Sequence, residues 1–130
     1  VTRQFTKFLS LDKVELAFTP GAFTNAIRVY DVVANAVSSW SVSGERPAWS
    51  PTGNRIAYIN GGRVMTVNAD GGNATTLTPT TTGWNGQLRW SPDGNWLITR
   101  RDDALWLLEV ATGTALRLGW STDLAGGSLK

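Results

Sequence analysis

The chain contains no cysteine and no histidine. Without cysteine there is no disulfide, no thiolate nucleophile and no zinc ribbon, and the redox compartment is left open. Without histidine, a Ser-His-Asp triad, a histidine general base and a His-ligated metal are all excluded. Charge is sparse too. Twelve Lys and Arg against ten Asp and Glu leave a net charge of +2, and no basic run exceeds Arg100-Arg101. Such a balance argues against a nucleic-acid partner. No apolar run reaches membrane-spanning length, so membrane insertion is not expected, and no signal peptide is read at Val1. A start at Val rather than Met reads as a processed or excised chain.

Tryptophan, in contrast, is abundant, with seven in 130 residues. Side chains of that size carry large apolar area and need a packed setting. With 17% charged and 42% hydrophobic residues, the composition suits a folded, sheet-rich chain.

The sequence is organised around a stretch that occurs twice. Trp90-Ser91-Pro92-Asp93-Gly94-Asn95 repeats Trp49-Ser50-Pro51-Thr52-Gly53-Asn54 at a distance of 41 residues. The register then holds without a gap: Ile56 matches Leu97, Val64 matches Leu105, Gly72 matches Gly113 and Leu77 matches Leu118. A period near 40 residues marks a propeller or solenoid array. In the better copy, 87–90 reads as a short strand ending in a Ser-Pro-Asp-Gly turn. That turn has the residues a type I turn prefers. Residues 95–99 and 104–110 follow as strands, the latter apolar on both faces, as a strand sandwiched between sheets should be. Residues 114–118 alternate, which suits an outer, half-exposed strand. The copy at 46–86 has the same order, with strands at 47–49, 54–59, 64–68 and 74–78. A degenerate copy at about 6–45 lacks the Trp-Ser-Pro-x-Gly turn and ends in an outer strand at 36–40. Residues 120–130 read as the start of a further repeat. The chain is therefore expected to be all-β, three four-stranded antiparallel meanders and no helix. Each meander buries its flat faces only against neighbours, so radial repetition satisfies all three.

Trp-Ser-Pro-x-Gly followed by a short apolar strand resembles the repeat of TolB-like propellers, the WD40-like or PD40 blades. Such blades also occur in prolyl-oligopeptidase-like and tricorn-type peptidases. Ser50, Pro51, Gly53, Ser91, Pro92, Asp93 and Gly94 carry the resemblance together with Trp49 and Trp90, and these residues build turns rather than a site. Thr52 departs from the Asp that the family prefers. The resemblance implies a β-propeller scaffold for protein–protein interaction in a periplasmic or secreted setting. It equally admits an accessory propeller that gates a peptidase, or a structural repeat fragment with no activity of its own. Three blades cannot close a propeller. The expectation is either a piece of a longer propeller or a homodimer that closes a six-bladed ring head to tail.

No catalytic, metal or cofactor residues are assigned. Asp102-Asp103 read as a solvated turn, not an acid–base pair, and Asp93 as a cap on backbone N–H groups. Asp31 and Asp70-Gly71-Gly72 lack the alternating oxygen ligands of a calcium loop. Gly61-Gly62 turns a hairpin with no helix start behind it, and Asn73-Ala74-Thr75 is a glycosylation sequon by spelling only. Trp49, Trp90, Trp96 and Trp106 are expected in the core. The partner-binding candidates are Trp84 and Trp120, in polar linkers between units, and Arg46 and Arg89, on inner strands facing a central channel. For the two tryptophans the competing reading is a plug in the gap between blades.

Overall fold

In the computed structural model, the described backbone covers residues 5–9, 14–18 and 26–120, and side chains are described for 26–118. Every regular element among them is a strand. The first sheet takes β1 (Phe5–Leu9), β2 (Val14–Phe18), β3 (Ala26–Asp31) and β4 (Ala36–Val37) in that order, with β5 (Val42–Ser43) also paired to β3. The second runs β6 (Glu45–Trp49), β7 (Arg55–Asn60), β8 (Arg63–Asn68), β9 (Thr75–Thr76). The third runs β10 (Arg89–Trp90), β11 (Trp96–Arg101), β12 (Ala104–Glu109), β13 (Ala115–Trp120). Each is an antiparallel meander, and β6 lies beside both β1 and β10, the first strands of the flanking sheets. These are blades of a partial β-propeller.

The repeated motif closes the first hairpin of the second and third sheets by the same chemistry. Gly94 N donates to Ser91 O at 2.9 Å and Gly53 N to Ser50 O at 3.0 Å, with both glycines at φ +75°. This is the turn that Ser-Pro-x-Gly favours. In the third sheet the Asp93 carboxylate accepts from Asn95 N at 3.0 Å and from Ser91 Oγ at 2.5 Å. Where the second sheet has Thr52 instead, the Asn54 side-chain oxygen accepts from Thr52 Oγ1 at 2.6 Å and from Ser50 Oγ at 3.0 Å. A neutral carboxamide thus takes over the acceptor role of a carboxylate.

Those bonds, the one from Ser91 first, hold the exposed Asp93 carboxyl below its ordinary value. A depressed carboxyl contributes to stability above its ordinary pKa, and that contribution is lost as pH falls through the folded value. In Ser91→Ala the Asp93 titration midpoint, followed by NMR, should move up towards the ordinary aspartate range. An unchanged midpoint would show that the serine is not the cause.

Both faces of the second sheet are buried. Ile56, Tyr58 and Val67 pack with Ile27, Val29 and Trp49 towards the first sheet. Ala57, Ile59 and Val64 pack with Leu97 and Leu108 towards the third, joined by Leu77, Trp84 and Leu88. Two cores thus flank one sheet, as a strand pattern apolar on both sides requires. Burial in the first of them also raises the Tyr58 phenol pKa.

The outer strands differ from expectation. Only 36–37 of 36–40 is strand, because Ser38 Oγ accepts from Val29 N at 3.1 Å and donates to Trp40 O, so a hydroxyl replaces the next ladder rung. Only 75–76 of 74–78 is strand for the same reason: Thr78 Oγ1 accepts from Val64 N at 3.0 Å. The first strand of the third sheet is Arg89–Trp90 rather than 87–90. β13 is longer than expected and carries through Gly119 and Trp120, which the sequence placed in a linker. It does so across a bulge opposite Leu105/Trp106.

Candidate functional site

The inner strands contribute a dense set of polar side chains to one concavity. Arg46 comes first. It sits at φ +56° where β6 slips register between Glu45 and Ala48. A bulge of this kind inserts residues that the partner strand does not match, and it re-aims the side chain it carries. Left-handed backbone at an arginine costs about 1–2 kcal/mol, so the packing around it must hold the conformation in place.

The segment 85–87 is brought alongside by a close backbone approach. Asn85 N donates to Arg100 O at 3.4 Å, and a Cβ on Gly86 would lie 2.6 Å from Arg100 N. Only glycine lets the segment lie this close to β11. Asn85 and Gln87 are thereby set beside Arg46, Arg89 and Arg100 around a cleft of about 400 Å³, with Ile98 and Leu105 as its apolar wall. No carboxylate lines it. Arg100 makes an exposed ion pair to Asp103 at 3.3 Å across the β11–β12 hairpin, a contact worth less than about 1 kcal/mol at such a position.

Two of the four partner candidates from the sequence, Arg46 and Arg89, thus share one cleft. Arg100 completes it and was not singled out, because it was read with the solvated turn at Asp102-Asp103. That turn is a hairpin with φ +53° and +57° at the two aspartates, the left-handed pair a tight hairpin needs.

Trp84 belongs to a different environment. Its ring is 1% exposed and closes the gap between the second and third sheets. It meets Trp106 edge to face, with centroids 5.5 Å apart, and Arg101 lies over both rings at 5.2 and 5.7 Å. The indole N–H donates to Thr81 Oγ1 at 3.0 Å. Buried this way, the ring has no surface left to anchor a partner, and it plugs the gap between blades. Trp120 pairs its backbone with Ala104, and its side chain lies outside the described residues. Trp49 is buried, whereas Trp90, Trp96 and Trp106 are half-buried. The Trp90 indole N–H donates to Ala48 O at 2.9 Å and ties the third sheet's inner strand to the second's. No group of three acidic side chains that could hold a metal occurs among the described residues.

No family model matches the chain, and no curated protein sequence matches it. Solved structures do. An acylaminoacyl peptidase of Pyrococcus horikoshii aligns over 91% of this chain with a TM-score of 0.62 and 11% identity. A TolB-assigned protein of Agrobacterium tumefaciens aligns over 80% with a TM-score of 0.60 and 15% identity. An oligogalacturonate lyase of Vibrio parahaemolyticus aligns over 82% with a TM-score of 0.58 and 14% identity. The chain spans 25%, 41% and 34% of those structures respectively. Likeness at such identities concerns the fold: TolB-like, peptidase and lyase proteins share this all-β blade arrangement.

Proposed function

We propose that the chain is a non-catalytic segment of a TolB-like, WD40-like propeller that serves as a scaffold for a protein partner, in an extracytoplasmic setting. The observation that carries this reading is the inner cleft: three guanidinium groups and two carboxamides around an apolar wall, with no lining carboxylate. Guanidinium groups present forked donors that match carboxylates two bonds at a time. An apolar wall beside them accommodates an aliphatic side chain, the usual composition of a recognition pocket. Together they fit an acidic segment of a protein, such as alternating Glu and Leu. The lack of histidine and cysteine removes the commonest nucleophile–base pairs, which favours binding over chemistry.

The test is fluorescence polarisation with a labelled peptide alternating Glu and Leu, against its Lys and Leu counterpart. The acidic peptide should bind and weaken with salt, as exposed charge pairs do. Because a bond to a charged group contributes about 1.5–3 kcal/mol, Arg46→Gln with Arg89→Gln should weaken binding at least tenfold. Equal binding of the basic peptide, or an unchanged affinity in the double variant, would count against the cleft.

A further inference from the structure

The sequence holds two Asn-Gly pairs, Asn60-Gly61 and Asn85-Gly86. Such a pair is chemically labile for a local reason. The main-chain nitrogen of the glycine can attack the asparagine side-chain carbon, because no Cβ on the glycine obstructs the approach. Ammonia leaves and a succinimide ring forms, which water then opens at either carbonyl. One opening leaves aspartate in an ordinary chain. The other leaves isoaspartate, in which the chain runs through the side-chain methylene. Water is the only co-reactant, and each event exchanges a neutral amide for a carboxylate and frees ammonium.

The fold treats the two pairs differently. Asn60 ends β7, pairs with Arg63 across the last rung of the β7–β8 hairpin, and is exposed. Gly61 and Gly62 form its two-residue loop at φ +59° and +73°, and a Cβ built on Gly61 would meet nothing within 4 Å. Only that end rung has to yield for the carboxamide to swing over the Gly61 nitrogen. The hairpin belongs to the second sheet, whose two faces are both covered from within this chain, so its setting does not depend on further blades. Asn85 is exposed as well, and accessibility therefore does not separate the pairs. Backbone packing does. Asn85 N donates to Arg100 O, and Gly86 is buried against Arg100, where a Cβ would lie 2.6 Å from Arg100 N. A succinimide at 85–86 needs that backbone to turn, and β11 is in the way.

We propose that Asn60 is a modification site, converted spontaneously to isoaspartate and aspartate in the folded chain while Asn85 is protected. The isoaspartate product has a structural consequence. It puts one more backbone atom between Asn60 and Gly61, and the register of a two-residue hairpin is set by its loop length. Gly62 lies just beyond that insertion. Its carbonyl accepts from Trp84 N at 3.0 Å, and a Cβ on it would lie 3.0 Å from Gly83 N. The hairpin tip thus tethers the segment that carries the Trp84 plug, and lengthening the tip loosens the plug. Aspartate, by contrast, keeps the chain length and adds only a charge opposite Arg63.

Trypsin makes the test direct. Cleavage after Arg55 and Arg63 releases 56–63, and cleavage after Arg89 releases 64–89, with one Asn-Gly pair in each. The 130-residue chain is aged at neutral pH and physiological temperature, digested and read by mass spectrometry, with fragment spectra locating the change. The amide-to-acid mass change should appear at Asn60 several times faster than at Asn85. In urea the fold no longer discriminates, and the two pairs should convert at similar rates. Gly61→Ala should silence the signal in 56–63. No conversion at Asn60, equal rates in the folded chain, or a selectivity that survives unfolding would overturn the proposal. Ion exchange then isolates the deamidated chain, whose urea midpoint should fall below that of Asn60→Asp, a variant with the same charge and a chain of ordinary length. Coincident midpoints would sever the link to Trp84.

Discussion

Replacing Trp84 with alanine is expected to remove about 3–5 kcal/mol of stability and to lower Tm by roughly 10 °C or more. The ring is among the largest fully buried side chains, and it shares a core with Ala57, Ile59 and Val64 of one sheet and Leu97 and Leu108 of the next. Truncation opens a cavity where no single sheet can relax to fill it, which places the change at the costly end for core substitutions. It also removes the face under Arg101 and the edge-to-face partner of Trp106, each worth about 0.5–1.5 kcal/mol. Trp84→Phe should recover most of the loss, because only the bond from the indole N–H to Thr81 and part of the volume go. In a double-mutant cycle, Trp84→Ala and Arg101→Ala should be non-additive, since the guanidinium stacks on the ring that the first change deletes. Urea midpoints give all three values. A loss below about 1 kcal/mol for Trp84→Ala would mean that the second and third sheets do not depend on this plug.

That outcome also shows where reading the sequence reaches its limit. The duplicated Trp-Ser-Pro-x-Gly turn, the 41-residue register and a strand apolar on both faces were sufficient to define the sheets, because each is a local pattern or a copy of one. The buried setting of Trp84 is neither. Its neighbours in sequence are threonines and glycines that read as a wet linker, and what buries it is Arg101 and Trp106 arriving from the next unit. Arg46 and Arg89 were legible as inner-strand positions by counting strands, but their meeting with Arg100 depends on Gly86 lying against the β11 backbone, a contact no periodicity announces. The bulge at Arg46 is likewise invisible in a Glu-Arg-Pro spelling. The shortened outer strands have a similar origin. Ser38 and Thr78 supply hydroxyls where a ladder would use carbonyls, and strand propensity does not count that exchange.

The stacking of sheets makes one further large effect expected, at Gly113. Its φ of +76° is one that L side chains adopt at a cost, and a Cβ built there would lie 2.4 Å from the carbonyl oxygen of Leu77. Leu77 cannot easily retreat: its N–H donates to Val64 O at 2.8 Å, and its side chain is in the core between the second and third sheets. Gly113→Ala should therefore cost the left-handed strain, about 1–2 kcal/mol, plus a comparable amount for overpacking, about 1–3 kcal/mol. Gly61→Ala provides the control. It has nearly the same backbone, φ +59°, but open space around the new methyl, so only the strain should appear. Both changes restrict the unfolded chain equally, and that contribution cancels between them. The excess at Gly113, read from denaturant midpoints, is then a direct measure of how firmly the turn of one sheet seats on the edge of the previous one. Equal losses at the two glycines would mean that the β12–β13 turn does not touch Leu77 in solution.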